Sequence, residues 1–163
     1  MGEHRLTRAL RELLQARRTA ALGTRDMRGS VFVSMVPYAI DAARQELVLH
    51  VSELAAHTGN MQHSPQVSVL VCAAEPGNGE PVHALPRVTL DADARFLAPD
   101  SPETAEARAV YLRRFPEADM LMTLGDFRFV RLQIQGARQV AGFGAARSLA
   151  ADEVRRALSL PSA

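Results

Sequence analysis

The stretch LVLHVSELAAHTGNMQHSPQVSVLV, residues 47–71, contains two apolar runs separated by a polar segment. The runs LVLHVS and QVSVLV are rich in β-branched residues, which favours strands. The polar segment between them, residues 54–62, predicts a short helix that ends before Pro65. The stretch is therefore predicted to form a strand, a helix and a second strand in succession.

The segment upstream of this unit begins with a basic amphipathic helix. Residues 5–18 place five apolar side chains on one helical stripe, with arginines over much of the remaining surface: Leu6, Ala9, Leu10, Leu13 and Leu14. Such a helix can lie on a membrane surface or act as a transit peptide, but Glu3 and Glu12 weaken both interpretations. We expect it to dock on the body of the protein.

Two more strands are predicted before residue 47. TAALGTR, residues 19–25, is a short strand followed by a turn around residues 26–29. SVFVSMVPYAI, residues 30–40, carries apolar residues on both parities, which predicts a strand buried on both faces. Pro37 cannot donate to a strand ladder, so a bulge or a sheet edge is expected there. The turn DAARQE then joins this strand to LVLHVS as a hairpin.

The segment downstream alternates between strands and helices less regularly. PGNGEP, residues 76–81, predicts a loop, and the clean apolar–polar alternation of residues 87–97 predicts a half-exposed antiparallel strand. Helices are expected up to about Arg114 and, after Pro116, in a second short segment. Residues 126–140 are predicted to form a long strand. The glycine-containing turn after this strand is predicted to lead into a C-terminal helix.

This order predicts one domain, mainly β with flanking helices (α+β). Helices do not alternate regularly with strands, which disfavours a doubly wound parallel sheet and favours a small antiparallel barrel with helices packed outside. The predicted boundaries are a single domain over residues 1–163, an N-terminal helix at about 3–18, a barrel at about 19–142 and a C-terminal helix at about 150–159.

Composition narrows the function. A net charge of +1, from 19 basic and 18 acidic side chains, gives no case for nucleic acid as a ligand. The single cysteine, Cys72, is expected to be a small buried side chain. Because one cysteine allows no disulfide within the chain, a reducing cytoplasm is the expected location. There is no CxxC or HExxH spacing for a metal. No segment has the length of apolar sequence that a membrane span needs, and the N-terminus lacks a signal-peptide apolar region.

The polar segment at the start of the predicted helix is a candidate anion site. Ser52 and Glu53 stand where the helix begins, and free backbone N–H groups at a helix N-terminus attract phosphate. His57, Thr58 and Asn60 add further hydrogen-bonding side chains. The alternative is that Ser52 only caps the helix and that His57 is solvated. The residues alone leave both interpretations open.

The strand–helix–strand unit resembles that of the split-barrel flavoproteins related to pyridoxamine 5′-phosphate oxidase. Three further segments resemble one branch of that family, the haem-utilisation (HugZ-like) proteins: GTRDMRGSVFVSMVPYAID, YLRRFPEADMLMTLGDFRFVRL and VAGFGAA. The four segments lie in the family's order within residues 6–149. The resemblance implies a six-stranded antiparallel split β-barrel that forms a homodimer, with FMN in two clefts between the subunits.

The resemblance also implies which residues hold the cofactor. Polar residues matched to the phosphate site are Ser34, Ser52, His57, Thr58 and Asn60, and backbone groups near Met35 and Val36 are expected to face the flavin ring. The oxidase typically has lysine where His57 stands. Arg87 is either an additional cation at this site or a solvated strand residue. The residues that hold the pyridoxamine substrate in the oxidase have no clear counterpart, so that activity is not expected, and no catalytic residue is assigned.

Three functions follow from the resemblance. The preferred one is an FMN-dependent oxidoreductase of unknown substrate, in which the flavin supplies the redox chemistry. The alternatives are a haem-binding or haem-utilisation protein, and a non-catalytic binding protein on the same scaffold. Haem needs an axial ligand, usually histidine. The late histidine of haem-degrading relatives has no counterpart, because the histidines of this sequence are His4, His50, His57, His63 and His83.

Overall fold

Eight strands form one antiparallel sheet, and four α-helices pack against it in the computed structural model, which describes residues 3–159. The strands β1 to β8 are Thr19–Arg25, Val31–Pro37, Ala39–Asp41, Glu46–Ser52, Gln66–Cys72, Arg87–Phe96, Phe127–Val140 and Ala146–Ala150. The helices α1 to α4 are Arg5–Ala16, Ala56–His63, Pro102–Arg114 and Ala151–Ser159. Short 3-10 helices occur at Val82–Ala84 and Pro116–Thr123. The predicted mainly β fold with flanking helices is confirmed, but the sheet has eight strands rather than the expected six.

The strand order places β2 at one edge of the sheet. Neighbouring strands run β2-β1-β5-β6-β7-β4-β3, and β8 pairs with the second half of β7. The long strand β7 therefore pairs with three strands, since β4 takes its first half and β6 runs along nearly all of it. The register shifts between Asp91 and Ala92 of β6, which pair with Gly136 and Ile134, so Gln135 is the extra residue of a β-bulge in β7.

Two apolar clusters hold the layers together. The larger lies between the sheet and helices α1 and α4, and its fully buried members include Leu10, Leu14, Leu22, Leu90, Leu132 and Val154. The predicted docking of the N-terminal helix is confirmed, because Leu10, Leu13 and Leu14 are buried. The second cluster packs α3 on β3, β4 and β7 through Ala107, Tyr111 and Phe129.

A buried ion cluster ties the β3–β4 hairpin and α3 to β7. The Arg131 side chain is fully buried, and its Nη1 donates to Asp41 Oδ2 at 2.8 Å. Glu46 and Glu103 lie 3.6 and 3.2 Å from the same guanidinium. Arg95 hydrogen-bonds Glu103 and holds the pKa of that carboxyl below its ordinary value. A fully buried arginine needs such partners, because an unpaired buried charge is strongly destabilising.

The structure corrects two local predictions. Residues 30–40 are not one strand buried on both faces: β2 ends at Pro37, and Val31, Val33 and Met35 are 77, 62 and 66 % exposed. β2 is an edge strand, as Pro37 indicated, and nothing within residues 3–159 covers its outer face. The glycine turn does not lead straight into a helix either, since β8 pairs with β7 before α4 begins.

Within residues 3–159, no helix is long and apolar enough to span a membrane.

Candidate functional site

The helix α2 begins four residues after Ser52. Its N-cap is Ala55, which has no side chain to cap the free N–H groups. Ser52 ends β4, where its Oγ donates to Asp126 Oδ2 at 2.9 Å and accepts from the Leu54 N–H at 3.1 Å. The Ser52 hydroxyl therefore shapes the turn between β4 and α2 and has a carboxylate beside it.

A hydrogen bond between Ser34 and His57 joins β2 to α2. Ser34 Oγ lies 2.9 Å from His57 Nδ1, and both side chains are half-buried. Burial lowers the pKa of His57, so the imidazole is neutral at physiological pH. When Nδ1 carries the proton and donates it to Ser34, the Nε2 lone pair is free to bind a metal or accept a proton.

The other polar residues predicted for this site bond within the protein. Thr58 is fully buried, and its Oγ1 donates to the Ser52 carbonyl at 2.6 Å. Asn60 Nδ2 donates to Thr24 Oγ1 at 3.0 Å. Both side chains pin α2 to the strands beside it. The structure thus brings Ser34, His57, Thr58 and Asn60 around α2, where Thr58 is fully buried and the other three are half-buried.

The remaining predicted residues are dispersed. Met35 is on the exposed outer face of β2, whereas Val36 is only 2 % exposed and belongs to the core. Arg87 donates to the carbonyls of His83 and Leu85, in the loop that precedes its own strand. The guanidinium of Arg87 is thus occupied locally.

An exposed apolar surface lies at the sheet edge. Met35, Ala21 and Leu70 stand in register across β2, β1 and β5, and Val33 and Val31 continue the same side of β2. We call this surface, Val31, Val33, Met35 and Leu70, the β2 face. An open groove of about 410 Å³ beside it is lined by Arg17, Ser34 and Cys72 as well as Val33 and Met35. Cys72 is accordingly half-buried rather than fully buried.

His50 occupies an aromatic cluster on the other half of the sheet. Its ring stacks on Phe129 with centroids 4.4 Å apart, and Phe127 and Tyr111 lie at 4.9 and 5.6 Å. Burial, with a smaller effect from the Arg108 charge, lowers the pKa of His50 to about 4. The imidazole is therefore neutral in the folded protein at physiological pH.

This depressed pKa predicts a pH-dependent loss of stability. Between about pH 6.5 and pH 4, His50 is protonated in the unfolded chain but stays neutral in the folded chain, so the free energy of unfolding decreases as the pH falls. His50→Phe removes this titrating group and keeps an aromatic ring in the cluster. Denaturant unfolding from pH 7 to pH 4 should show the wild type losing stability relative to His50→Phe. A difference that stays constant over this range would contradict the prediction.

Comparisons with known proteins identify relatives of the whole unit. Residues 6–141 match the family model described as pyridoxamine 5′-phosphate oxidase. The chain is 32% identical over 151 residues to heme oxygenase HutZ of Vibrio cholerae, covering 92% of this chain and 84% of that protein. It superposes on a solved heme binding protein from Mycobacterium smegmatis with a TM-score of 0.83 and 26% identity, covering 96% of this chain and 62% of that one. A solved structure of Vibrio cholerae HutZ, described as a heme storage protein, gives a TM-score of 0.73 and 32% identity over 82% of this chain and 94% of that one.

These relatives confirm the predicted split-barrel fold and the haem-utilisation branch, but they correct the preferred function. The expectation of an FMN-dependent oxidoreductase is wrong, because the named relatives are heme oxygenases and heme-binding proteins. The site geometry is consistent with this correction. Among the residues expected at the flavin phosphate, Ser52 lies against the Asp126 carboxylate, His57 is neutral and Arg87 is bonded to its own loop. Anionic phosphate gains little from such a set.

Proposed function

We propose that this chain, which belongs to the pyridoxamine 5′-phosphate oxidase family, is a haem-binding protein that acts in haem utilisation. The observation that carries the proposal is the identity of 32% to heme oxygenase HutZ over nearly the whole chain. The two solved heme-binding relatives support it. A cytoplasmic location is part of the same proposal and rests on the single cysteine.

Haem binding requires an apolar surface for the ring, cations for the two propionates and an axial ligand. The β2 face supplies an exposed apolar surface at a sheet edge. Arg17 lines the groove beside Met35. Arg25 stands beside Val31 at one end of this face, where its guanidinium already donates to Ser64 and Gln66. Arg17 Nε is buried without a hydrogen-bond partner among residues 3–159, so a propionate would supply the acceptor that it lacks. The residues present therefore fit haem.

His57 is the histidine best placed to bind the iron. His4 Nδ1 caps α1, His50 is held in its aromatic cluster, and His63 and His83 are exposed. His57 instead lies at the sheet edge, hydrogen-bonded to Ser34, whose side chain is on the face of β2 opposite Val33 and Met35. A haem ligated by His57 would therefore reach the β2 face around this open edge. Metal-binding histidines are commonly oriented by such a bond at the second ring nitrogen. Bound haem would supply the redox-active iron, and the protein would orient it and exclude water from its apolar faces.

We also propose that two copies of the chain associate through the β2 face. The face combines an unpaired strand edge with exposed valines and methionine, which in soluble proteins marks an interaction surface. A twofold partner would cover it and add residues to the groove beside Ser34 and Met35. In this arrangement each haem site lies between subunits.

His57→Ala is predicted to weaken haem binding at least tenfold, about 1.4 kcal/mol, because the variant loses the axial ligand. His63→Ala is the matched control, because His63 ends the same helix and is exposed, and it should bind haem as the wild type does. Titration of each protein with haem, followed by the Soret band, measures both. Equal affinity in all three proteins would remove His57 from the iron, and loss in His63→Ala alone would transfer the role to His63.

The finer proposal is that bound haem is degraded, as the name of the Vibrio cholerae relative indicates for that protein. Ring opening consumes O₂ and electrons, so a reductant must be present. Incubation of the haem complex with ascorbate in air should bleach the Soret band and release a linear tetrapyrrole. A second sample is kept free of O₂ as the control. If the Soret band persists in air as it does in this control, the chain binds haem without degrading it.

A further inference from the structure

A second cavity lies beside His50, apart from the groove at the β2 face. It encloses about 150 Å³ where β4, β7, α3 and the second 3-10 helix meet. Its apolar wall comes from six side chains, Leu97, Pro99, Met122, Leu124, Phe127 and Phe129. A cavity of about this volume with apolar walls is large enough to hold benzene. We call it the His50 cavity.

The polar side of the His50 cavity carries cationic and neutral groups. Arg108 and Arg128 line it with His50 and Thr104, and none of its lining residues is acidic. Arg108 is half-exposed, and the nearest carboxylate, on Asp119, is 4.0 Å away. Arg128 lies 3.3 Å from Glu53 and donates to the Leu97 carbonyl, while Thr104 donates to the Ala98 carbonyl. Arg108 is therefore the cation with the most freedom to meet a ligand.

Two buried polar atoms in the same lining have no hydrogen-bond partner among residues 3–159. These are His50 Nδ1 and Arg128 Nε, which stand on adjacent strands one register position apart. Buried polar atoms are nearly always paired in folded proteins, so these two mark a place where hydrogen-bond partners are missing: Arg128 Nε needs an acceptor, and His50 Nδ1 can donate or accept. The aromatic packing around His50 explains its position but satisfies neither atom.

We propose that the His50 cavity binds a compact aromatic monocarboxylate, with its ring against Phe127 and Phe129 and its carboxylate paired with Arg108. The volume limits the ring to about the size of benzene. The charge on the lining selects an anion over a neutral molecule of the same shape. This site shares no lining residue with the groove beside the β2 face, so it is independent of the haem proposal.

The test uses benzoate as the probe and benzamide as its neutral counterpart, with the purified chain free of haem. Titration by calorimetry should show benzoate binding at least tenfold more tightly than benzamide, about 1.4 kcal/mol. The imidazole resonances of His50 should move during the benzoate titration. Arg108→Gln should lose roughly fivefold or more of the benzoate affinity.

Arg113→Gln is the matched control, since Arg113 is an exposed arginine of α3 outside the His50 cavity. It should bind benzoate as the wild type does. Equal binding of benzoate and benzamide, equal losses in Arg108→Gln and Arg113→Gln, or an unmoved His50 resonance would each overturn the proposal. Failure of haem to bind leaves this result unaffected, and absence of benzoate binding leaves the haem proposal unaffected.

Discussion

Replacing Arg131 with methionine is expected to lower the free energy of unfolding by roughly 3–5 kcal/mol. Methionine fills much of the space but leaves Asp41, which is 5 % exposed, without the guanidinium 2.8 Å away. Glu46 loses the same partner, whereas Glu103 keeps Arg95. The contacts that join β7 to the β3–β4 hairpin should be the ones weakened. Chemical denaturation of both proteins at neutral pH measures it.

Arg138→Met is the control on the same strand. Arg138 is exposed and makes one hydrogen bond, to Ser148 Oγ at 3.2 Å, so its replacement should cost no more than about 1 kcal/mol. Similar losses in the two variants would show that the Arg131 cluster adds nothing beyond an ordinary surface contact.

Val33→Asp is expected to raise the dissociation constant of the proposed dimer at least 100-fold, about 2.7 kcal/mol. Val33 lies in the middle of the β2 face, between Val31 and Met35. Twofold symmetry places the substitution on both sides of the interface, so two carboxylates would lose water without a partner. Sedimentation velocity over a range of concentrations measures the change.

Leu54→Asp is the matched control, because Leu54 is 88 % exposed but lies outside the β2 face. It should associate as the wild type does. A wild-type chain that stays monomeric at tens of micromolar, or a Val33→Asp variant that still associates normally, would exclude the β2 face as the interface.

Local sequence signals correctly predicted the helices and strands that have clear capping, helix-breaking or alternating residues. The helix α3 begins after the Ser101 cap with Pro102 and ends at Arg114, where Phe115 and Pro116 stop it. The apolar–polar alternation of β6 matches its burial, with Val88, Leu90 and Ala92 inside. These features depend on residues a few positions apart, so the sequence contains them directly.

Features that depend on distant residues were missed. A strand rich in apolar residues is predicted to be buried, because its sequence does not show whether another layer covers it. The exposure of β2 depends on its position at the edge of the sheet. The strand β8 is short and forms by pairing with β7. At the site, the resemblance brought Ser34 and His57 into one prediction, and their hydrogen bond joins them in the structure. The Ser52–Asp126 and Arg131–Asp41 contacts span 74 and 90 residues, and no local pattern reveals such pairs.

Parallel titration of the purified chain with haem and with FMN tests the haem proposal most directly. Both ligands are added to the same cofactor-free protein, with binding followed by the haem Soret band and by flavin fluorescence. We expect haem to bind stoichiometrically with a shifted Soret band, and FMN to bind weakly or not at all. Tight, stoichiometric FMN binding together with haem binding that does not saturate would contradict the account.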